Sequence, residues 1–392
     1  MLDAAQHAAR SLAGQVRATT LRYTGSDAEP DAHRRHRAVS ELLGTGLIDL
    51  VIEPSAVDDP TRLFCTALET IALHSVELAE AVQVQAFSVR TIRRHATAAL
   101  WAELGEGLRS GAVPIANCLS EPAAGSDLSA IELAATRDGP CFRLSGYKDW
   151  AAYASQAGEL IVYARTSAAG LGGITAFLVP ADSPGVTISP AAEQLRGLSI
   201  PVSDIAFDDV LVPAHRVLGR PNRGVRVATI LLTQGRLGLA ACALGLGNAA
   251  FERALEFART RVRFGRPIIE HQGIGFALAD MATGLQAGRQ LLRHACEVFD
   301  HDPDGAVLAC AQAKLFATDT AQRVTADAVQ ILGASAYLPD EPVETWMRQA
   351  SLLQILQGTN QIQRRTIVAR LGGSARPTRS DAAPDLPTTP FE

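Results

Sequence analysis

Lysine is almost absent from this chain: across 392 residues only Lys148 and Lys314 carry an ammonium group, and arginine supplies nearly all the positive charge. That skew reads as a GC-rich coding bias and not as a functional device. The net charge of −5 argues against a nucleic-acid surface, which needs clustered cations to neutralise phosphates. Paired cysteines are missing too. Cys65, Cys118, Cys141, Cys242, Cys296 and Cys310 are scattered with no C-x-x-C spacing, so neither a disulfide framework nor a metal centre is expected, and a reduced cytoplasm is the default. Residues 1–20 mix Arg10, Gln15 and Arg17 with small residues and lack an apolar stretch, so no signal peptide is expected. The longest apolar run, 227–247, is broken by Gln234 and Arg236, costly in lipid and ordinary in a buried helix, so no membrane span is expected. The H-E-x-x-H, G-x-S-x-G and Walker signatures are lacking as well.

What is present is enough apolar content, 47%, to bury a large core over two or three domains. Apolar residues recur at helical spacing in Leu63, Phe64, Ala67, Leu68, Ile71 and Ala72, and again around Ala99, Leu100 and Leu104. Short β-type runs separated by turn residues follow at 113–118, 141–144, 160–164, 174–179, 186–188 and 202–207. Long helical patterns return after Gly219. The chain therefore reads as α+β, with a helical domain over 1–112, a β domain over 113–220, a helical bundle over 221–371 and a flexible tail over 372–392. Gly245-Leu246-Gly247-Asn248 mimics half of a dinucleotide fingerprint, but no strand precedes it, and small-residue helix packing is the better reading. His33 and His36, in an arginine-rich helix, read as solvated.

Several short segments carry chemistry. Gln357-Gly358-Thr359-Asn360-Gln361-Ile362-Gln363-Arg364 follows an apolar helical stretch, and Asn360 with Gln363 forms an N-cap and capping-box pattern for a second helix. Gln357 is then expected on the last turn of the first helix, beside the free N–H groups of the second, where a polarised or anionic group is favoured. Ser120-Glu121-Pro122-Ala123-Ala124-Gly125-Ser126-Asp127 reads locally as a turn, with Glu121 and Asp127 structural. Gly146-Tyr147-Lys148-Asp149-Trp150 places an indole after a strand. Arg261-Val262-Arg263-Phe264-Gly265-Arg266-Pro267, with His271-Gln272, joins two helices. Thr233-Gln234-Gly235-Arg236 and Gln330-Ile331-Leu332-Gly333 lie inside helical patterns.

Over about residues 35–371 these segments together resemble the acyl-CoA dehydrogenase superfamily of flavoproteins. The resemblance implies an N-terminal helical domain, a middle β-barrel, a C-terminal four-helix bundle and FAD as cofactor. It implies that Ser120, Gly125, Ser126, Trp150, Ala152, Thr359 and Gln361 line the flavin or its diphosphate. Ser126, Arg236 and Gly358 would face the acyl thioester, carried on coenzyme A or a carrier protein. Arg261, Phe264, Gln272, Gln330 and Gly333 would reach a neighbouring chain's FAD, which implies a homodimer or homotetramer.

The chain departs from the pattern at four places. Ala334 replaces a glycine, Ala152 replaces a threonine whose hydroxyl meets the flavin, and the segment from Ile52 to Pro60 replaces a P-E-x-x-G-G loop near the acyl end. Above all, Gln357 occupies the position of the glutamate that removes the α-proton, and Gly235 excludes the other position at which relatives carry that base. An amide has no useful basicity at neutral pH. Three readings remain open: an FAD enzyme acting on an acyl thioester with atypical chemistry, a flavin-dependent oxygenase of the same fold, and a non-catalytic partner subunit. The divergent pocket and the GC bias suggest specialised metabolism.

Overall fold

The computed structural model describes residues 2–24, 32–54, 57–189, 194–195 and 200–372, so the expected tail from 373 onward and Ser55 and Ala56 of the divergent loop lie outside the described residues. Among the described residues six α-helices come first: α1 (Leu2–Thr24), α2 (Ala32–Leu42), α3 (Ile48–Ile52), α4 (Pro60–Ala72), α5 (Val76–His95) and α6 (Ala98–Arg109). Local chemistry sets their starts. Ser75 and Thr97 cap α5 and α6 by accepting from Leu78 N and Leu100 N, each at 3.2 Å.

Strands β1 (Ile115–Cys118), β2 (Ala134–Asp138), β3 (Cys141–Ala152), β4 (Glu159–Arg165), β5 (Ile174–Pro180), β6 (Val186–Ile188), β7 (Gln194–Leu195), β8 (Ile200–Pro213) and β9 (Val217–Leu218) form one sheet. Its path is β6-β8-β3-β2-β4-β5-β9, with β1 on β4 and β7 on β8. The expected short runs at 141–144 and 202–207 are parts of longer strands. Strand β2 was not expected, because four of its five residues are exposed and its Ala, Arg and Asp are poor strand formers; pairing with β3 recruits it. The register of β3 against β8 shifts between Lys148 and Ala151, and Trp150 inside that irregularity has φ 53°. A bulge of this kind re-aims a side chain, and here it turns Trp150 outward to 65% exposure.

The chain then forms α7 (Gly224–Thr260), a hairpin of β10 (Val262–Arg263) and β11 (Arg266–Pro267), and α8 (Gln272–His301), α9 (Val307–Leu332), α10 (Val343–Leu353) and α11 (Asn360–Leu371). Helix α7 is long and apolar enough to cross a bilayer, yet 83% of its most apolar window is buried inside the protein, the pattern of a core helix. Its glycines let neighbours approach. A Cβ at Gly245 would meet the Glu69 carbonyl oxygen at 2.4 Å, and one at Gly247 would meet Leu285 at 2.9 Å, which is the small-residue packing expected there.

Candidate active site

Residue 357 sits in a turn gripped from below. The φ angles of Gln357 and Gly358, 54° and 89°, carry the chain out of the helical ladder after α10, so Gln357 lies beyond that helix and not on its last turn as expected. The Lys314 ammonium on α9 donates to Gln354 O (2.9 Å), Gly358 O (3.1 Å) and Asn360 Oδ1 (2.8 Å), so the carbonyls that leave the ladder find a charged donor. Burial pushes the Lys314 ammonium down to about 7, with Arg236 adding to the effect. Asp319, one turn and a residue further along α9, accepts from Gln354 Nε2 (2.8 Å), Asn360 Nδ2 (2.7 Å) and Arg364 (2.8 Å). Asn360 is therefore committed to α9 and is not the N-cap. Thr359 caps α11 instead, accepting from Ile362 N at 3.2 Å, while Gln363 reaches back to Gly358 O at 2.7 Å.

The Gln357 amide rests on α7. A Cβ at Gly235 would stand 2.5 Å from its Oε1 and 3.2 Å from its Nε2, so only glycine leaves the amide this seat. The next residue, Arg236, is 7% exposed, and its Nε and Nη1 have no partner among the described residues. Burial holds that guanidinium below the usual arginine range. A buried cation without a partner is costly, and together with Lys314 it makes the floor beneath residue 357 electropositive.

The turn and the sheet edge approach each other. Asp127 caps the short turn Leu128–Ala130, accepting from Ser129 N (2.9 Å) and Ser129 Oγ (2.6 Å), and feels the charge of Arg365 on α11. Glu121 is structural as expected: its carboxylate accepts from the buried Lys148 ammonium (2.6 Å), Glu132 N (2.6 Å) and Leu133 N (3.1 Å). Asp149 N donates to Ser120 O at 3.1 Å, so Ser120–Asp127 and the Trp150 segment form one surface. On it Ser120 and Ala152 are half-buried and Gly125 and Ser126 are exposed. Tyr153, just past Ala152, donates its hydroxyl to the buried Glu80 carboxylate on α5. Burial raises Glu80 to about 7, against the pull of the Tyr153 hydrogen bond and of Arg35.

The remaining expected residues lie elsewhere. At about 1.5 Å of rise per residue, α7 carries Arg261 roughly 37 Å from Arg236. Phe264, with φ 51° at the hairpin tip, is 94% exposed, and Arg261, Gln272, Gln330 and Gly333 are exposed at or near the same end. One group thus lies at the Gln357 end of α7 (Gly358, Thr359, Gln361 and Arg236, with the Ser120–Trp150 surface linked to α11 through Asp127 and Arg365), and the other sits at the far end of the bundle. Lys314, Gly235 as the seat of Gln357, and Glu80 with Tyr153 carry no local sequence signal of a site, apart from the scarcity of lysine for the first.

The acyl-CoA dehydrogenase C-terminal domain model matches residues 222–372, and the middle domain model matches residues 116–210. Cyclohexane-1-carbonyl-CoA dehydrogenase of Geobacter metallireducens is 35% identical over 335 residues, spanning 85% of this chain and 88% of that protein. The chain belongs to the acyl-CoA dehydrogenase family. Among solved acyl-CoA dehydrogenase structures, butyryl-CoA dehydrogenase from Megasphaera elsdenii superposes with a TM-score of 0.82 at 29% identity, covering 92% of this chain and 98% of that one. Glutaryl-coenzyme A dehydrogenase in complex with glutaryl-CoA gives 0.84 at 28% identity, covering 93% and 95%. Acyl-CoA dehydrogenases are oxidoreductases whose cofactor is FAD.

The residues present fit that group. A Cβ added at Gly125, Gly265 or Gly333 would meet no protein atom within 4 Å, whereas at Gly235 or Gly238 it would fall within 2.5 Å of one. The first three glycines leave open faces that internal packing does not use, and the aromatic rings of Trp150 and Phe264 are likewise exposed.

Proposed function

We propose that this chain is an FAD-dependent oxidoreductase acting on an acyl thioester, on coenzyme A or a carrier protein, with atypical chemistry set by Gln357. The observation that carries this reading is the Gln357 amide seated on Gly235 beside the Arg236 guanidinium, whose Nε and Nη1 have no partner among the described residues. Ser120, Gly125, Ser126, Trp150, Ala152, Thr359 and Gln361 would hold the ring and diphosphate half of FAD. Arg261, Phe264, Gln272, Gln330 and Gly333 of a second copy would hold the adenosine half, in a homodimer or homotetramer. FAD supplies a hydride acceptor for the β-carbon of an acyl thioester.

Gln357 orients the acyl group by hydrogen bonding and takes no proton. Arg236, with Lys314 beneath, favours negative charge developing on the thioester side, as preorganised donors do in a water-poor site. A positioned base is worth roughly 10² to 10⁴ in rate, about 3 to 5 kcal/mol, and without it the α-proton has only solvent to pass to, which leaves ordinary desaturation slow. The six free cysteines support a reducing compartment, which we take as the cytoplasm.

The test is spectroscopic. Purified protein should be yellow, and anaerobic mixing with a panel of acyl-CoAs and acyl-carrier proteins should perturb or slowly bleach the flavin band. A colourless protein that stays apo in excess FAD sinks the reading. A second reading, a flavin-dependent oxygenase, is favoured by Ala152, whose methyl group offers no hydroxyl at the flavin edge. Oxygen uptake with externally reduced flavin would select it.

A further inference from the structure

Gly235 and Gly238 stand three residues apart on one face of α7, and each makes room for a glutamine amide. A Cβ at Gly238 would lie 2.3 Å from Gln83 Oε1, just as one at Gly235 would lie 2.5 Å from Gln357 Oε1. Cβ positions at this spacing are about 5 to 6 Å apart, so the two amide oxygens are within roughly 11 Å of each other along α7. The amides come from different elements, the α10–α11 turn and α5, and meet over the same helix.

Gln83 is fully buried, and neither Oε1 nor Nε2 has a partner among the described residues. Such an amide leaves both a donor and an acceptor unmet, and an aliphatic side chain of similar length would fill the space without that cost. Phe87, which a Gly238 Cβ would meet at 2.9 Å, bounds one side with an apolar ring. One turn earlier on α5, Glu80 takes the Tyr153 hydroxyl, and this ties the Gln83 stretch to the strand end that carries Trp150 and Ala152. Gln83 and Gln357 therefore share one face of α7, and α5, which carries Gln83, is joined to the strand end beside Ala152.

We propose that Gln83 is a specificity-determining residue, and that the acyl group carries a hydroxyl at its end remote from sulfur, accepting from Nε2 and donating to Oε1. This rests on the acyl-thioester reading above. A site built to bond a substrate hydroxyl discriminates against the analogue lacking it far more strongly than an apolar pocket discriminates a methylene.

The holoenzyme is titrated with matched pairs of acyl-CoAs, a straight-chain member and its ω-hydroxy counterpart, across a short-chain series. Binding is followed by calorimetry and by perturbation of the flavin absorbance, for wild type and Gln83→Leu. The expected result is that at one chain length the hydroxylated thioester binds wild type at least about tenfold tighter, and that Gln83→Leu reverses the order. Equal or tighter binding of the alkyl member, unmoved by Gln83→Leu, overturns the inference while the acyl-thioester reading stands. If neither member of any pair binds FAD-loaded protein, the reading falls and takes the inference with it. Thermal unfolding of ligand-free protein checks the premise independently. Gln83→Leu should match or exceed wild type, and a marked loss of stability would show the amide already satisfied within the protein.

Discussion

Gln357 keeps the reach of a glutamate without its basicity, and its neighbours determine what a carboxylate would do there. Arg236 Nε and Nη1 have no partner among the described residues and Lys314 lies beneath the turn, so a carboxylate at 357 would be held ionised and ready to accept a proton. Gln357→Glu should therefore speed flavin bleaching by some saturated acyl thioester by about 10² to 10⁴, read by anaerobic stopped-flow absorbance. No gain with any member of the panel would mean that the pocket is shaped for other chemistry. A second single-residue effect concerns stability. Glu80 is fully buried and raised from 4.5 to about 7 by desolvation, with Tyr153 and Arg35 opposing. The folded protein thus binds a proton that the unfolded chain releases above about pH 4.5, so this group's contribution is complete below that pH and is lost as pH rises through about 7. Glu80→Gln keeps an acceptor for Tyr153 and does not titrate. Denaturant unfolding should show little difference from wild type near pH 4.5 and a gain approaching about 3 kcal/mol by pH 8. A gain independent of pH would contradict the assignment.

At the scale of elements, the turn between α10 and α11 owes its shape to α9 more than to its own sequence. Lys314→Met would leave Gln354 O, Gly358 O and Asn360 Oδ1 without their charged donor, at a cost of about 3 kcal/mol or more. The expected outcome is a lower midpoint in denaturant and a weakened response of the flavin spectrum to acyl thioesters, because residue 357 loses its fixed position. A Lys314→Met protein with unchanged ligand-induced spectra would show that the turn holds itself. This dependence on α9 explains what was legible in the sequence. The long helices announced themselves through periodic apolar residues, and β4 and β5 through largely apolar runs buried on both faces. Strand β2 did not, since its residues favour a strand only once β3 offers a partner. The cap of α11 falls one residue before the expected Asn360, which is a better cap in isolation but whose amide is claimed in the folded protein by Thr318, Asp319 and Lys314. The glycine seats of Gln83 and Gln357 were illegible for the same reason: each pairs residues distant in sequence, with no local pattern.

The whole molecule separates two sets of residues that one cofactor is proposed to need. About 37 Å of α7 lies between Arg236 and Arg261, so the hairpin bearing Phe264 cannot serve the site around Gln357 of its own chain. Two-fold symmetry offers a solution, with the hairpin end of each copy completing the other's site. That geometry makes a prediction no single-chain site would satisfy. Ser126→Arg should block the flavin surface of a chain without touching its hairpin, and Arg261→Glu combined with Phe264→Asp should disable the hairpin without touching the flavin surface. Each variant alone should purify with little FAD. Co-expressed under two affinity tags, they should assemble mixed dimers in which one site is doubly damaged and the other is whole. With random assembly, about half of all dimers are mixed, so about a quarter of the total sites should regain FAD, and the doubly tagged fraction should approach one FAD per two chains. Absorbance per chain in that fraction is the measurement. If it stays as colourless as the parents, while each variant keeps the wild-type thermal transition of the apo protein, the two ends do not meet on one cofactor and the shared-site assembly is wrong.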